Sequence, residues 1–189
     1  MGPIDPKLIL EITKELKIGK QLEHLNQIVS EIEKLTKTLE DAKDFSDRLR
    51  PVVLTIINAS SHELTWDKPS FESGTTFAGP SLINIKPNDG AVWWVANRQG
   101  AFVTGVAGGG KWFLKGTDSC LIIGFSSPYT GSDKSFITVR KANKLANVGY
   151  GGLEDPEAKQ ATEENFYITV TKLNNINGAI NFVYTIADV

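Results

Sequence analysis

The chain has 189 residues, 41% of them apolar, with 20 basic against 22 acidic side chains and a formal net charge of −2. This is the balance of a globular protein of one or two domains. It lacks the surplus of Lys and Arg that would neutralise a nucleic-acid backbone, and no apolar run reaches the ~18–20 residues of a membrane-spanning helix.

The first residues, Met1-Gly2-Pro3-Ile4-Asp5-Pro6, show neither a basic-then-apolar leader nor the Ser or Thr of a myristoylation signal. From about Asp5 to Arg48 the pattern predicts a long helix, weakened at Gly19. Leu8, Ile9, Ile12 and Leu16 share one face of it. Further on, Leu25, Ile32 and Leu39 recur every seven residues, as do Ile28, Leu35, Ala42 and Leu49, which gives one apolar seam. Such a seam packs on the protein's own body or on a partner helix, or it leaves the body for a bilayer.

At Pro51 the texture changes to β. Val52–Ile57 is a β-branched strand closed by the turn cluster Asn58-Ala59-Ser60-Ser61. Further strands are expected at 81–86, 91–96, 101–106, 112–115, 120–125, 136–141, 165–173 and 179–187, separated by Gly-, Asn-, Asp- and Pro-rich turns. Residues 143–164 read as loop. Many short strands at ~8–12-residue spacing predict a sandwich or barrel. The chain therefore divides into an amphipathic helical segment, 1–50, and a β domain, 51–189, expected to fold by itself.

Three features imitate chemistry. Gly105–Lys111 resembles a phosphate-binding loop, but Trp112 stands where a hydroxyl for Mg²⁺ is required, and no helix follows. A β-turn or bulge with close backbone packing suits those glycines better. Cys120, the sole cysteine, lies in an apolar strand and is expected to be a buried thiol. His24 and His62 have no orienting partner in the sequence, so neither a nucleophile–base pair nor a metal site is expected. No enzymatic activity and no cofactor are predicted. Asn58-Ala59-Ser60 matches a glycosylation triplet, a pattern common by chance. Trp93 and Trp94 are adjacent in a strand, so one ring is expected in the core and the other at or near the surface.

Four motifs in order resemble the actinoporins, the sea-anemone cytolysins, whose fold is related to that of fungal fruit-body lectins. They are Ile56-Ile57-Asn58-Ala59-Ser60; Phe71-Glu72-Ser73-Gly74-Thr75; Val103-Thr104-Gly105-Val106-Ala107-Gly108; and Leu121–Tyr129 followed by Phe136-Ile137-Thr138-Val139. Together they cover roughly residues 52–141. The resemblance implies a mainly β protein, an actinoporin-like β-sandwich preceded by a long N-terminal amphipathic helix. It also implies a phosphocholine-type headgroup, usually of sphingomyelin, bound at the matched positions Phe71, Ser73, Ala107, Ser126, Pro128 and Tyr129. Assembly into a homo-oligomeric ring on the membrane would follow, with insertion of a helix carrying Ile4, Leu8, Ile9, Ile12 and Leu16. A secreted protein, or a soluble one that later associates with a target membrane, is the corresponding location. The chain departs from the family in several places: the later tyrosine cluster is reduced to something like Tyr150, the Arg-Gly-Asp triplet is missing, and the N-terminal segment is longer and more charged. The aromatic membrane loop is replaced by Thr130-Gly131-Ser132-Asp133-Lys134-Ser135, and Glu72 stands where the family has a basic residue. A glycan-binding lectin on the same sandwich is the alternative reading.

Overall fold

The computed structural model describes residues 51–78, 84–98, 105–142, 158–176 and 179–189. The expected helix, the seam, and Ile4, Leu8, Ile9, Ile12 and Leu16 lie outside the described residues.

Ten strands are described: β1 (Val52–Ala59), β2 (Leu64–Ser73), β3 (Thr75–Ala78), β4 (Asp89–Ala96), β5 (Val106–Leu114), β6 (Ser119–Ser127), β7 (Lys134–Lys141), β8 (Ala158–Glu163), β9 (Phe166–Ile176) and β10 (Ala179–Asp188). They form a six-stranded sheet in the order β3-β4-β1-β10-β9-β8 and a four-stranded sheet in the order β2-β5-β6-β7. β1 and β10 run parallel, and the other pairs are antiparallel.

The core lies between the sheets. Val52, Leu54 and Ile56 of β1 and Phe182, Tyr184 and Ile186 of β10 meet Trp112, Leu121, Ile123, Phe125, Ile137 and Val139 of the smaller sheet. Alternation with period two puts these residues on one face of each strand. Aromatic rings fill the centre: Trp93 packs edge-on against Trp66, Phe71, Trp112 and Phe125, with centroids 5.7, 5.8, 6.5 and 5.9 Å away.

A polar tie crosses this core. The Tyr184 hydroxyl of β10 and the Ser135 hydroxyl of β7 lie 2.6 Å apart, and both are within reach of the Gly124 carbonyl of β6, at 3.0 and 2.9 Å, so that one hydroxyl donates to the other and the second donates to the carbonyl. Each buried oxygen has a partner, so the tie costs little while fixing how the sheets sit together. At one point on the free edge of β7, Glu163 at the end of β8 accepts from Val139 N–H at 2.8 Å and from Thr138 Oγ1 at 2.5 Å.

The structure corrects three expectations. Trp93 and Trp94 do point to opposite faces, yet both are buried. Trp94 stands beside Val53 on the side of the six-stranded sheet turned away from the core, where Val53, Ile57, Val92 and Val183 are buried as well. Gly108–Gly110 is the middle of β5 and not a turn, while the close backbone packing expected of these glycines is present, beside a register shift in β2. A Cβ on Gly108 would lie 2.7 Å from the Ser70 carbonyl, and one on Gly110 would meet the Trp112 and Trp66 rings at 2.8 and 3.0 Å. β2 and β3 occupy a stretch in which no strand was expected, and β8 falls inside the expected loop. Half of the strand expected at 81–86, residues 81–83, lies outside the described residues; in the remainder Ile85 forms a bridge with Leu64.

Candidate functional site

The chain changes sheets at Gly74. Its φ of +93° is one that side-chain-bearing residues rarely adopt, and a Cβ there would lie 2.9 Å from Val106. This glycine is the corner between β2 and β3, and it sets Ser73 at the end of the four-stranded sheet. The Ser73 hydroxyl donates to the Gly105 carbonyl at 2.9 Å. Gly105 in turn sits flat on the Ser127-Pro128 backbone, where an added Cβ would come within 2.5 Å of both Pro128 Cα and Ser127 O. Three motifs far apart in sequence thus meet at Gly105.

Across this end, Ser73 opposes Ala107, Ala107 opposes Ser126, and Ser126 opposes Lys134. Directly opposed residues share a face, and this face is the outer one, because the next row inward carries the buried Phe125. The result is a row of two hydroxyls, a methyl and an ammonium on the outside of the sheet. Ser73, Ala107 and Ser126 are partly exposed, Lys134 is exposed, and Tyr129, just beyond β6, is 50% exposed.

Phe71 does not join them. A register shift between Phe71 and Ser73 reverses the face, so its ring lies on the core side against Trp93 and Phe125. Of the six residues singled out in the sequence, Ser73, Ala107, Ser126, Pro128 and Tyr129 gather at one end of the sheet, while Phe71 supports them from within. Lys134 was missed in the sequence. Its signal was available: as the first residue of β7 it must oppose the last residues of β6 across a short connection.

The loop 130–133 is anchored at its far end. Asp133, its side chain 11% exposed, holds Lys172 of β9 at 2.8 Å and so ties the loop to the other sheet.

Elsewhere, the residues that imitate chemistry have structural partners. Lys111 pairs with Asp67 at 2.9 Å and lies over the Phe113 ring. Cys120 is fully buried, and burial pushes its thiol pKa up, away from the reactive thiolate. His62 sets Nδ1 3.0 Å from the Lys115 carbonyl and its ring edge-on to Phe166. Beside it, the Lys115 ammonium donates to Glu63 at 2.8 Å and holds that carboxyl below its usual range. Among the described residues no three His, Cys, Asp or Glu side chains converge as a metal site would need.

No protein-family model matches the chain, and no curated protein matches it. Solved structures do. A lipid binding protein, Nakanori, superposes with a TM-score of 0.67 at 12% identity, covering 94% of each chain. A Xerocomus chrysenteron lectin superposes over 72% of this chain and 99% of its own, with a TM-score of 0.44 at 7% identity. The first likeness is one of fold, a two-sheet β architecture shared at an identity too low to carry residue roles.

Proposed function

We propose that this protein binds a membrane lipid through the end of the four-stranded sheet formed by Ser73, Ala107, Ser126, Pro128 and Tyr129. The convergence at Gly105 carries the reading. It presents partly exposed hydroxyls and one exposed phenol ring on a rigid frame, where a phosphate can accept hydrogen bonds while the ring enters the interfacial zone of a bilayer. The likeness in fold to a solved lipid binding protein supports this reading. No redox, metal or nucleophilic step is part of it, and the protein acts as a binding module rather than an enzyme.

The finer reading extends to the N-terminal segment. A helix of the ~27 residues from Lys7 to Glu33 would be ~40 Å long, enough to cross a bilayer. Its charges would have to face water or headgroups, because an Asp or Lys at the bilayer centre costs at least ~2.5–3.5 kcal/mol. In this reading the protein is secreted or soluble, reaches a target membrane, assembles into a homo-oligomeric ring and inserts the face of Ile4, Leu8, Ile9, Ile12 and Leu16. Dye release from vesicles, with flotation measured in parallel, tests both levels. Binding with release supports pore formation, binding without release supports a lipid-binding module alone, and absence of binding rejects both.

One observation favours a second reading, in which the same row holds a glycan. The loop 130–133 has no aromatic ring to enter a bilayer, and hydroxyls beside one tyrosine also suit a sugar. Retention on immobilised glycans, with no vesicle binding, would establish that alternative.

A further inference from the structure

We propose that this end of the sheet selects a net-anionic phospholipid headgroup, its phosphate held between the Ser126 hydroxyl and the Lys134 ammonium. The inference rests on the lipid-binding reading and names its ligand class. Ser126 and Lys134 are directly opposed on β6 and β7, which places their Cβ atoms ~4.5–5.5 Å apart on one face. That is a gap one phosphate can bridge, with a hydroxyl donor on one side and a charged donor on the other.

Neither group is otherwise occupied. Among the described residues Lys134 forms no ion pair and the Ser126 hydroxyl makes no hydrogen bond. Asp133, the acid next in sequence, is already paired with Lys172 at 2.8 Å. Glu72 lies by the β2 end of the row, three strand spacings or about 14 Å from Lys134. At physiological ionic strength that exceeds the screening length of about 8 Å. The Ala107 methyl flanks Ser126 and adds no charge or bulk.

A choline ammonium, by contrast, needs several aromatic faces around it. At this end, among the described residues, Tyr129 is the exposed ring and Phe136, partly buried over Gly124 on the same outer face, is a second, which together do not surround a cation; Phe113, the other exposed ring, opposes Cys120 at the far end of β6. A lysine beside the phosphate repels a quaternary ammonium and stabilises an additional negative charge. The whole chain is net −2, so any preference for an anionic surface has to arise locally. A lipid rather than a free phosphate is the occupant, because the half-exposed Tyr129 ring is placed to enter a bilayer interface beside the row.

The test is flotation of the full-length protein with three vesicle types: phosphatidylcholine alone, phosphatidylcholine with sphingomyelin, and phosphatidylcholine with phosphatidic acid. The wild type is compared with K134Q, K134R and K86Q; Lys86 is an exposed lysine near the opposite end of the sandwich. Phosphatidic-acid vesicles are expected to bind about tenfold more tightly than the zwitterionic ones, the scale of one charge-assisted hydrogen bond. K134Q should remove that preference, whereas K134R and K86Q should keep it. Equal or tighter binding to sphingomyelin vesicles overturns the anionic preference while leaving lipid binding intact. Equal losses in K134Q and K86Q overturn the site in favour of general surface charge. Failure to bind any vesicle overturns the lipid-binding reading itself, and this proposal with it.

Discussion

Ser60 Oγ donates to Asn58 Oδ1 at 2.6 Å, so the two polar residues of the glycosylation triplet are bonded to each other inside the fold. The other end of the Asn58 amide is equally committed. Its Nδ2 donates to the carbonyls of His62, Ile85 and Lys86 at 2.8, 3.1 and 3.0 Å, and the residue is fully buried. Asn58 therefore pins the turn after β1 to the segment before β4.

It follows that a glycan on Asn58 is incompatible with this fold. Protein exported through a glycosylating pathway and recovered folded should have an unmodified Asn58 by mass spectrometry. Asn58→Ala should lower stability by at least about 1–3 kcal/mol, since it strands buried carbonyls. A folded, glycosylated species would contradict the assignment.

Phe71 and Tyr129 should behave oppositely. Phe71→Ala removes a ring packed edge-on against Trp93 and Phe125 and should cost about 2–4 kcal/mol in chemical denaturation. Tyr129→Ala should leave the denaturation midpoint nearly unchanged, because half of that residue is already in solvent, while weakening vesicle binding by about 0.5–2 kcal/mol. A large stability loss in Tyr129→Ala with unaltered binding would make it a packing residue and move the site elsewhere.

Burial raises the pKa of the Tyr184 phenol above its ordinary range, against a smaller lowering effect from its hydrogen bond with Ser135. The folded state thus keeps a proton that the unfolded state releases near pH ~10. Stability from this group is complete below that pH and falls as pH rises above it, because the unfolded state then binds fewer protons. Urea denaturation between pH 8 and about 11 should show this decline. Tyr184→Phe should flatten the slope while costing about 1–2 kcal/mol at neutral pH. A slope unchanged in the variant would assign the alkaline loss to other groups.

Val53, Ile57, Val92, Trp94 and Val183 are buried on the side of the six-stranded sheet away from the core. Fully exposing such side chains costs about 1.5–3 kcal/mol each. The seam of Leu25, Ile28, Ile32, Leu35 and Leu39 is the apolar stretch whose pattern matches a cover for them. A chain beginning at Pro51 is therefore expected to bind a hydrophobic dye and to melt at lower temperature than the full chain. Its near-UV circular dichroism should stay native, as a domain that folds by itself requires; an unchanged melting temperature without dye binding would show that residues 1–50 do not cover this face.

What the amino-acid order determined by itself was the interior. Val52-Val53-Leu54-Thr55-Ile56-Ile57, Cys120–Phe125 and Ala179–Ala187 are dense in β-branched and aromatic residues, and all lie in strands of the two sheets. A strand buried on one or both faces must be apolar, so its own residues declare it. The motifs carrying Ser73, Gly105 and Ser126–Tyr129 were also legible, since glycine at a corner or a close approach has few substitutes. Tertiary structure alone decided the rest. β2, with Asp67, Lys68 and Pro69, and β8, with Lys159 and Glu163, are edge strands held by a neighbour's hydrogen-bonding groups, and their own pattern carries little hydrophobic signal. The face shown by Phe71 depended on a single shifted residue in the β2–β5 ladder, which no local pattern reveals. The pairing of Ser126 with Lys134 belongs to the same class, because cross-strand register exists only once two strands have met.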